Sequence, residues 1–325
     1  MTDVVCMGEL LVEFVATTQN VSLAEAAGFV KAPGGAPANV AVAIQLLGLS
    51  SRFVGKVGDD PFGHYLKACL DDYKVDTRYL AMDKMARTTA VFDTVWDDGH
   101  KDLCFYRNPG ADMMLRPEEI VPSIFEQARA FHFGSISFIN EPSASAQRRA
   151  ISMARERGLM MTFDPNYRPT LWPDAATAHR VIFDAFRDCH LAKISAEEWE
   201  VATGQSEIVS GTRAVLGQGV ELLVISRGAK GAVATNGNYY VDIPAFEVEV
   251  VETTGAGDGF MASLIASLLP IREAAGSLAN IEPSIIRRAL RRACAMGALT
   301  CMKPGAIPAL PTLDELQRFL SLREL

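Results

Sequence analysis

The chain has 325 residues, 49% of them hydrophobic and 22% charged, an ordinary globular composition with enough length to bury a large core without staples. Its net charge of −8 and pI near 5.3 exclude the basic footprint that non-specific binding to nucleic acid or to an anionic membrane surface requires. Six scattered cysteines without a C-x-x-C, and five histidines without ligand spacing, read as reduced, buried thiols and argue against a protein-ligated zinc or haem.

At the N-terminus, MTDVVCMGELLVEF carries Asp3 and Glu9 within its apolar stretch, so Val4–Gly8 reads as a first strand and not as a secretory leader. No run reaches the ~20 apolar residues of a membrane span, and a cytoplasmic protein is expected. Leu10–Ala16 then alternates apolar with polar, and a helix is expected over Ala36–Leu47. Strand Phe53–Val57 and helix Phe62–Tyr73 follow. Thr88–Arg107 alternates again and contains WDDGH at 96–100, an Asp-Gly hairpin signal, so this stretch and Leu10–Ala16 are expected to pair into a small antiparallel sheet outside the main body.

The remainder alternates buried strands with helices: Ala130–Phe133, Ser143–Arg157, Leu159–Asp164, Ala175–Arg187, Leu191–Ile194, Glu197–Thr203 and Leu222–Ser226. NGN at 236–238 signals a hairpin between Ala232–Thr235 and Tyr239–Ile243 that would edge the main sheet. Strand Phe246–Val251 and helix Gly259–Leu269 are expected next. Arg287, Arg288, Arg291 and Arg292 have helical spacing and read as a solvated or salt-bridged face. The pattern is that of a parallel sheet with helices on both faces, which binds ligands at the carboxyl ends of its strands. With no repeat, low-complexity tract or long linker, residues 1–325 read as one domain with a β excursion.

The chemistry concentrates at TTGAGDGF, residues 253–260. The N–H groups of Gly255, Ala256 and Gly257 would open the first turn of a helix, a ready anion site. A dinucleotide turn fails because Phe260 stands where its third glycine belongs, and a carboxylate at Asp258 would repel a pyrophosphate. A P-loop fails because Gly55-Lys56 lacks both the upstream glycine and the following hydroxyl. Phosphoryl transfer fits: the amides stabilise the phosphoryl group while Asp258 accepts the proton of an attacking hydroxyl. A plain glycine-rich turn with Asp258 as a helix cap is the bland alternative. A second cluster, PGGAPAN at 33–39, puts Gly34 and Gly35 before a helix with Asn39 in its first turn, a group that can both donate to and accept from a polyol hydroxyl.

PGGAPANVAVAIQLLG (33–48) and VETTGAGDGF (251–260) resemble the two signature segments of the ribokinase-like, PfkB-type carbohydrate kinases. The similarity extends through GKVGDDPFG (55–63), YRNPGADM (106–113), FGSIS (133–137), DPNYRPTLWP (164–173) and KPGAIPALPT (303–312), and is greatest to the fructokinases of that family. The resemblance implies a three-layer αβα sandwich with a mainly parallel central sheet and a β-sheet lid, with lid strands from about 10–32 and 88–109. It further implies ATP-dependent phosphorylation of a sugar hydroxyl, with Asp258 as base and Gly255, Ala256 and Gly257 as anion hole. Sugar contacts would come from Glu13, Gly34, Gly35, Asn39, Arg107 and Arg168. Nucleotide contacts would come from Lys193, Glu198, Ser226, Arg227, Gly228, Gly231 and Cys294. Mg2+ would arrive on ATP with Glu198 nearby, and K+ near Glu252 is left open. The unpaired edges of lid strands suggest a homodimer joined through the lid.

Four positions depart from the commoner residues of the family. Glu13 and Glu252 stand where aspartates are usual, and the extra methylene carries the Glu13 carboxylate ~1.5 Å further toward the sugar. Ser195 opens the family's N-x-x-E segment, and Cys294 replaces an asparagine. Arg107 and Arg168 together would also suit a substrate carboxylate, which keeps a 2-keto-3-deoxygluconate kinase in view beside a fructokinase. Asp258 and its glycines argue against a non-catalytic family member acting as a binding protein.

Overall fold

Runs such as Val4–Met7, apolar on both sides, can be satisfied only between two packed layers. The computed structural model, which describes residues 2–96 and 101–323, forms those layers. The chain begins with β1 (Val4–Met7), β2 (Leu11–Ala16), β3 (Phe29–Gly34), α1 (Ala36–Leu46), β4 (Ser51–Gly58), α2 (Pro61–Asp72), β5 (Asp76–Asp83), β6 (Ala90–Val95) and β7 (Lys101–Tyr106). It continues with β8 (Ala130–Phe133), α3 (Ser143–Glu156), β9 (Met160–Phe163), α4 (Ala175–Ala185), β10 (Leu191–Ser195), α5 (Trp199–Thr203), α6 (Ile208–Leu216) and β11 (Leu222–Ser226). It closes with β12 (Ala232–Thr235), β13 (Tyr240–Ile243), α7 (Ala256–Ala275), α8 (Pro283–Cys301) and α9 (Leu313–Ser321).

The central sheet runs in the order β13-β12-β11-β10-β9-β8-β1-β4-β5, parallel except at the β11–β12 and β12–β13 pairs. Side chains alternate between its faces. Val4 and Cys6 enter the core shared with α1, α7, α8 and α9, while Val5 and Met7 enter the core shared with α3, α4, α5 and α6. Leu222 and Val224 against Leu223 and Ile225 repeat the division. The hairpin β12–β13 edges the sheet as expected.

A second sheet, β3-β2-β6-β7, stands off the body as a lid. It brings the two alternating segments together, but the β2–β6 pair that joins them is parallel, so the sheet is mixed and not antiparallel. The reason lies in the connections. Both hairpins leave the body on their first strand, β2 after β1 and β6 after β5, and those first strands are the neighbours. The Asp-Gly turn expected at 98–99 lies outside the described residues.

The strand expected over Phe246–Val251 is absent: the segment joins no sheet. Its apolar side chains find partners elsewhere, Phe246 against Phe319 at 5.2 Å, and the Val251 N–H donates to the Cys301 carbonyl at 2.8 Å. The thiols also differ in part from expectation. All six are free, but Cys104, on lid strand β7, is exposed, and Cys69 and Cys301 are only half-buried. Arg287 and Arg288 are exposed on α8, as a solvated face requires, whereas Arg291 and Arg292 are half-buried, Arg291 lying over the Phe246 ring at 4.8 Å. Among the described residues no helix is long and apolar enough to cross a membrane.

Candidate active site

Parallel strands deliver their following loops to one edge of the sheet, and the lid overhangs that edge. Between them lies a cavity of about 470 Å³, within the ~300–1,000 Å³ usual for small-molecule sites. The body supplies Glu9, Gly35, Asn39, Asn166, Arg168, Lys193, Gly255, Gly257 and Asp258 to its wall, and the lid supplies Leu11, Glu13, Val91, Asp93, Leu103 and Phe105.

Asp258 occupies the first turn of α7, whose N-cap, Gly255, takes a left-handed φ of 78°. No side chain caps this turn. Gly255 and Gly257 line the cavity, while the Ala256 N–H is turned to the Thr253 carbonyl at 3.2 Å. The Asp258 carboxyl accepts from Asn39 Nδ2 at 2.8 Å. It sits at the cavity floor with protein packed closely around it, and loss of solvent pushes it up to about 6. The Asn39 hydrogen bond, Lys193 and Arg168 pull it down, while the charge of Asp164 adds to the rise. Asn39 itself is buried, and its Oδ1 has no hydrogen-bond partner among the described residues. An orphaned buried acceptor is costly unless a donor satisfies it, and Asn39 lines the cavity.

Lys193, in the middle of β10, is buried in an ion pair with Asp164, Nζ to Oδ2 2.8 Å. Burial favours its neutral form, but Asp164, Glu198 and Asp258 outweigh this and raise its pKa. A Cβ placed on Gly257 would come within 3.1 Å of Nζ, so the ammonium stands directly over the glycine turn. Glu198 is buried and does not line the cavity. One of its carboxylate oxygens accepts from the Tyr167 N–H, and the other accepts from the Ser195 N–H at 3.0 Å. It therefore ties the loop that bears Asn166 and Arg168 to the end of β10.

The remaining expected residues divide. Glu13 lines the cavity, while Gly34 is not part of its wall and packs against the Glu13 side chain; a Cβ on Gly34 would meet Glu13 Cγ at 2.7 Å. Arg107 does not reach the wall. It is buried against Asp112, with Nε and Nη2 both 2.8 Å from Oδ2, and Thr89 donates to the other oxygen of the same carboxylate. Ser226, Arg227, Gly228, Gly231 and Cys294 lie outside this cavity. They nevertheless sit together: Arg227 pairs with Asp242 on β13, the turn closes through Arg227 N–H to the Gly231 carbonyl at 2.8 Å, and Cys294 on α8 lies within reach of the Arg227 charge. Burial pushes the Cys294 thiol up to about 12, so it is a neutral wall. Glu252 accepts from Thr254 Oγ1 and, at 2.8 Å, from the Gly305 N–H, which joins the glycine turn to the C-terminal loop.

Sequence reasoning missed two acidic residues of the cavity wall, Glu9 and Asp93, along with Asn166. Glu9 falls between the expected strand Val4–Gly8 and the alternating stretch Leu10–Ala16, and Asp93 within the alternating stretch Thr88–Arg107. Their polarity within apolar runs was the available signal.

The chain matches the pfkB family carbohydrate kinases over residues 1–313, and it belongs to that family. It is a sugar kinase of the fructokinase-like kind on a ribokinase-like fold. It is 41% identical over 321 residues to probable fructokinase-2 of Arabidopsis thaliana, covering 98% of this chain and 96% of that one. Fructokinase-2 of Solanum lycopersicum is 42% identical over 313 residues, at 96% and 94% coverage. Among solved structures, the fructokinase of Xylella fastidiosa with bound ATP superposes with a TM-score of 0.91 at 28% identity, over 99% of both chains. A double-mutant fructokinase of Vibrio cholerae O395 bound to fructose, ADP and potassium ion gives 0.86 at 32%, over 98% of both.

Proposed function

We propose that this chain transfers the terminal phosphoryl group of ATP to a hydroxyl of D-fructose, O6 in the first instance, giving fructose 6-phosphate. The observation that carries this reading is the Asn39–Asp258 hydrogen bond at the cavity floor, which sets a proton acceptor beside an amide oxygen left for a sugar hydroxyl. Asp258 takes the proton of the attacking hydroxyl, and a carboxyl raised to about 6 is better matched to that task than an ordinary one. The turn at Gly255 and Gly257, with Lys193 above it, stabilises charge on the phosphoryl group. Glu13, Gly34, Gly35 and Arg168 surround the sugar, and closure of the lid keeps water from competing with it.

Among the described residues no group of three His, Cys, Asp or Glu could hold a metal ion. With Asp164 paired to Lys193 and Glu198 to two backbone amides, the donor set suits a cation that arrives on the nucleotide. Mg2+ carried by ATP would neutralise the phosphates, with Glu198 nearby and Ser226, Arg227, Gly228, Gly231 and Cys294 around the nucleotide. K+ belongs to this reading at the junction of the glycine turn and the Gly305 loop, beside Glu252. Residues 1–325 act in it as one kinase domain.

A 2-keto-3-deoxygluconate kinase would use Arg107 and Arg168 together on the substrate carboxylate. The pairing of Arg107 with Asp112 spends that charge, and two lid carboxyls, Glu13 and Asp93, line the same cavity. Both features favour a neutral sugar. ADP release with Mg-ATP, measured against fructose, glucose, ribose, adenosine and 2-keto-3-deoxygluconate, tests the reading. Turnover is expected with fructose foremost. Turnover with the keto-deoxy acid alone would assign Arg168 to a carboxylate, and silence with ATP still bound would leave a non-catalytic binding protein.

The lid also carries an assembly proposal. Its edge strands β3 and β7 bear Val30 and Tyr106, 61% and 66% exposed, beside unpaired backbone that a second copy can cover. A lid-joined homodimer is expected in analytical ultracentrifugation at micromolar concentration, and a monomer alone would count against it.

A further inference from the structure

Two helix N-termini face the cavity, and they are finished differently. That of α7 carries no capping side chain and lies open to the cavity at Gly255 and Gly257. α1 also lacks a cap of its own: its N-cap is Gly35, its first turn holds no acidic residue, and Pro37 has no N–H to offer. Yet its first amide is not open. The Ala36 N–H donates to Glu9 Oε1 at 3.0 Å, a carboxylate supplied by the loop after β1.

Glu9 is only 3% exposed, although it lines the cavity. Its backbone also underlies the start of the helix. Gly35 has a φ of 113°, and a Cβ there would drive into the Glu9 carbonyl and come within 3.1 Å of Leu10 Cα. Side chain and backbone of one residue thus fix where α1 begins. From there the path is short: the Asn39 N–H bonds the Gly35 carbonyl at 2.9 Å, and its side chain holds Asp258 at 2.8 Å.

We infer that Glu9 is a positioning residue, capping α1 from another segment and so setting where Asn39 meets Asp258. The inference rests on Asp258 being the base of the proposed reaction. A carboxylate suits a helix N-terminus electrostatically as well as by hydrogen bonding. Burial pushes Glu9 up to about 7, its own N–H, the Ala36 N–H and Arg107 pulling it down and Asp112 adding to the rise. Arg107 and Asp112 are the charged groups that face it, while Asp164, Lys193 and Arg168 are those that face Asp258.

A double-mutant cycle with fructose as substrate tests the inference. Glu9→Ala is expected to lower kcat/KM for the sugar by about 10- to 100-fold, the usual scale for a displaced catalytic group, with KM for Mg-ATP unchanged. Adding Glu9→Ala to Asn39→Ala should cost less than about twofold more, because the two act on one contact. Glu9→Gln, whose amide oxygen can accept the Ala36 N–H, should restore activity to within about threefold of the unmodified chain. Losses that multiply in the double variant, or a Glu9→Gln as impaired as Glu9→Ala, overturn the inference.

A second readout needs no turnover, so it separates failure of this inference from failure of the proposed function, which the fructose rate of the unmodified chain tests. The side-chain NH2 resonance of Asn39 reports its bond to Asp258. It should shift in Glu9→Ala, or in the shorter Glu9→Asp if the alanine variant does not fold, and stay in place in Glu9→Gln. An unmoved resonance in the alanine or aspartate variant overturns the inference.

Discussion

Replacing Asp258 by asparagine is expected to lower turnover by about 10²- to 10⁴-fold while leaving ATP affinity nearly unchanged, because the substitution removes a proton acceptor and keeps its shape. The geometry makes the expectation specific. The carboxyl already accepts from Asn39, so asparagine presents either a second amide NH2 or a carbonyl that cannot take a proton. The pH profile gives an independent check. The base must be ionised to act, and Asp258 is raised to about 6, so kcat/KM for the sugar is present above that value and lost as pH falls through it. The asparagine variant should lose this limb and keep a low, flat rate. Glu9, raised to about 7, lines the same cavity, and Glu9→Gln separates its titration from that of Asp258. Near-normal turnover in Asp258→Asn would show that the residue is not the base.

The layers of the fold were legible because parallel strands are buried on both faces, so Val4–Met7, Ala130–Phe133 and Leu222–Ser226 stand out as short apolar runs. The same logic misled at Phe246–Val251. Its alternation of apolar with glutamate has the period of a half-buried strand, but the segment packs against α8 and α9 with Val250 and Val251 exposed. Period reports which side chains seek cover and not what covers them. β5 went unread for the opposite reason: as the edge of the sheet, paired with β4 alone, it tolerates the polar sequence DTRYLAMD. Pairing in the lid was also beyond reach, since the direction of β6 along β2 depends on where each hairpin leaves the body.

Within the site, glycine clusters and the carboxylate between them could be read locally because their chemistry is local. Contacts across the chain could not. Asn39 and Asp258 are 219 residues apart, and the Ala36 N–H that Glu9 caps is 27 residues beyond it. Arg107 shows the limit from the other side. Read as a free cation it suits a sugar or a carboxylate, and only the fold reveals Asp112, five residues on, folded back against it.

The two ends of α7 offer a matched pair of substitutions. Gly255 and Gly276 cap the helix with nearly the same left-handed backbone, φ 78° and 76°. Alanine at either should cost about 1–2 kcal/mol of stability, the penalty of an L-residue in that conformation. Their surroundings differ. A Cβ at Gly276 meets nothing within 4 Å, whereas at Gly255 it falls 2.9 Å from Ala306 Cα, backbone that cannot swing aside. Gly255→Ala must therefore displace the turn that carries Gly257 and Asp258, and a shift of about 1 Å there is expected to lower turnover by about 10²-fold. Gly276→Ala should lower the denaturation midpoint similarly and leave turnover within about twofold, since strain at the far end of a 20-residue helix moves nothing in the cavity. Urea midpoints and kcat measured on both variants decide the matter. Equal losses of activity would mean that helix stability, and not the position of the glycine turn, limits the reaction.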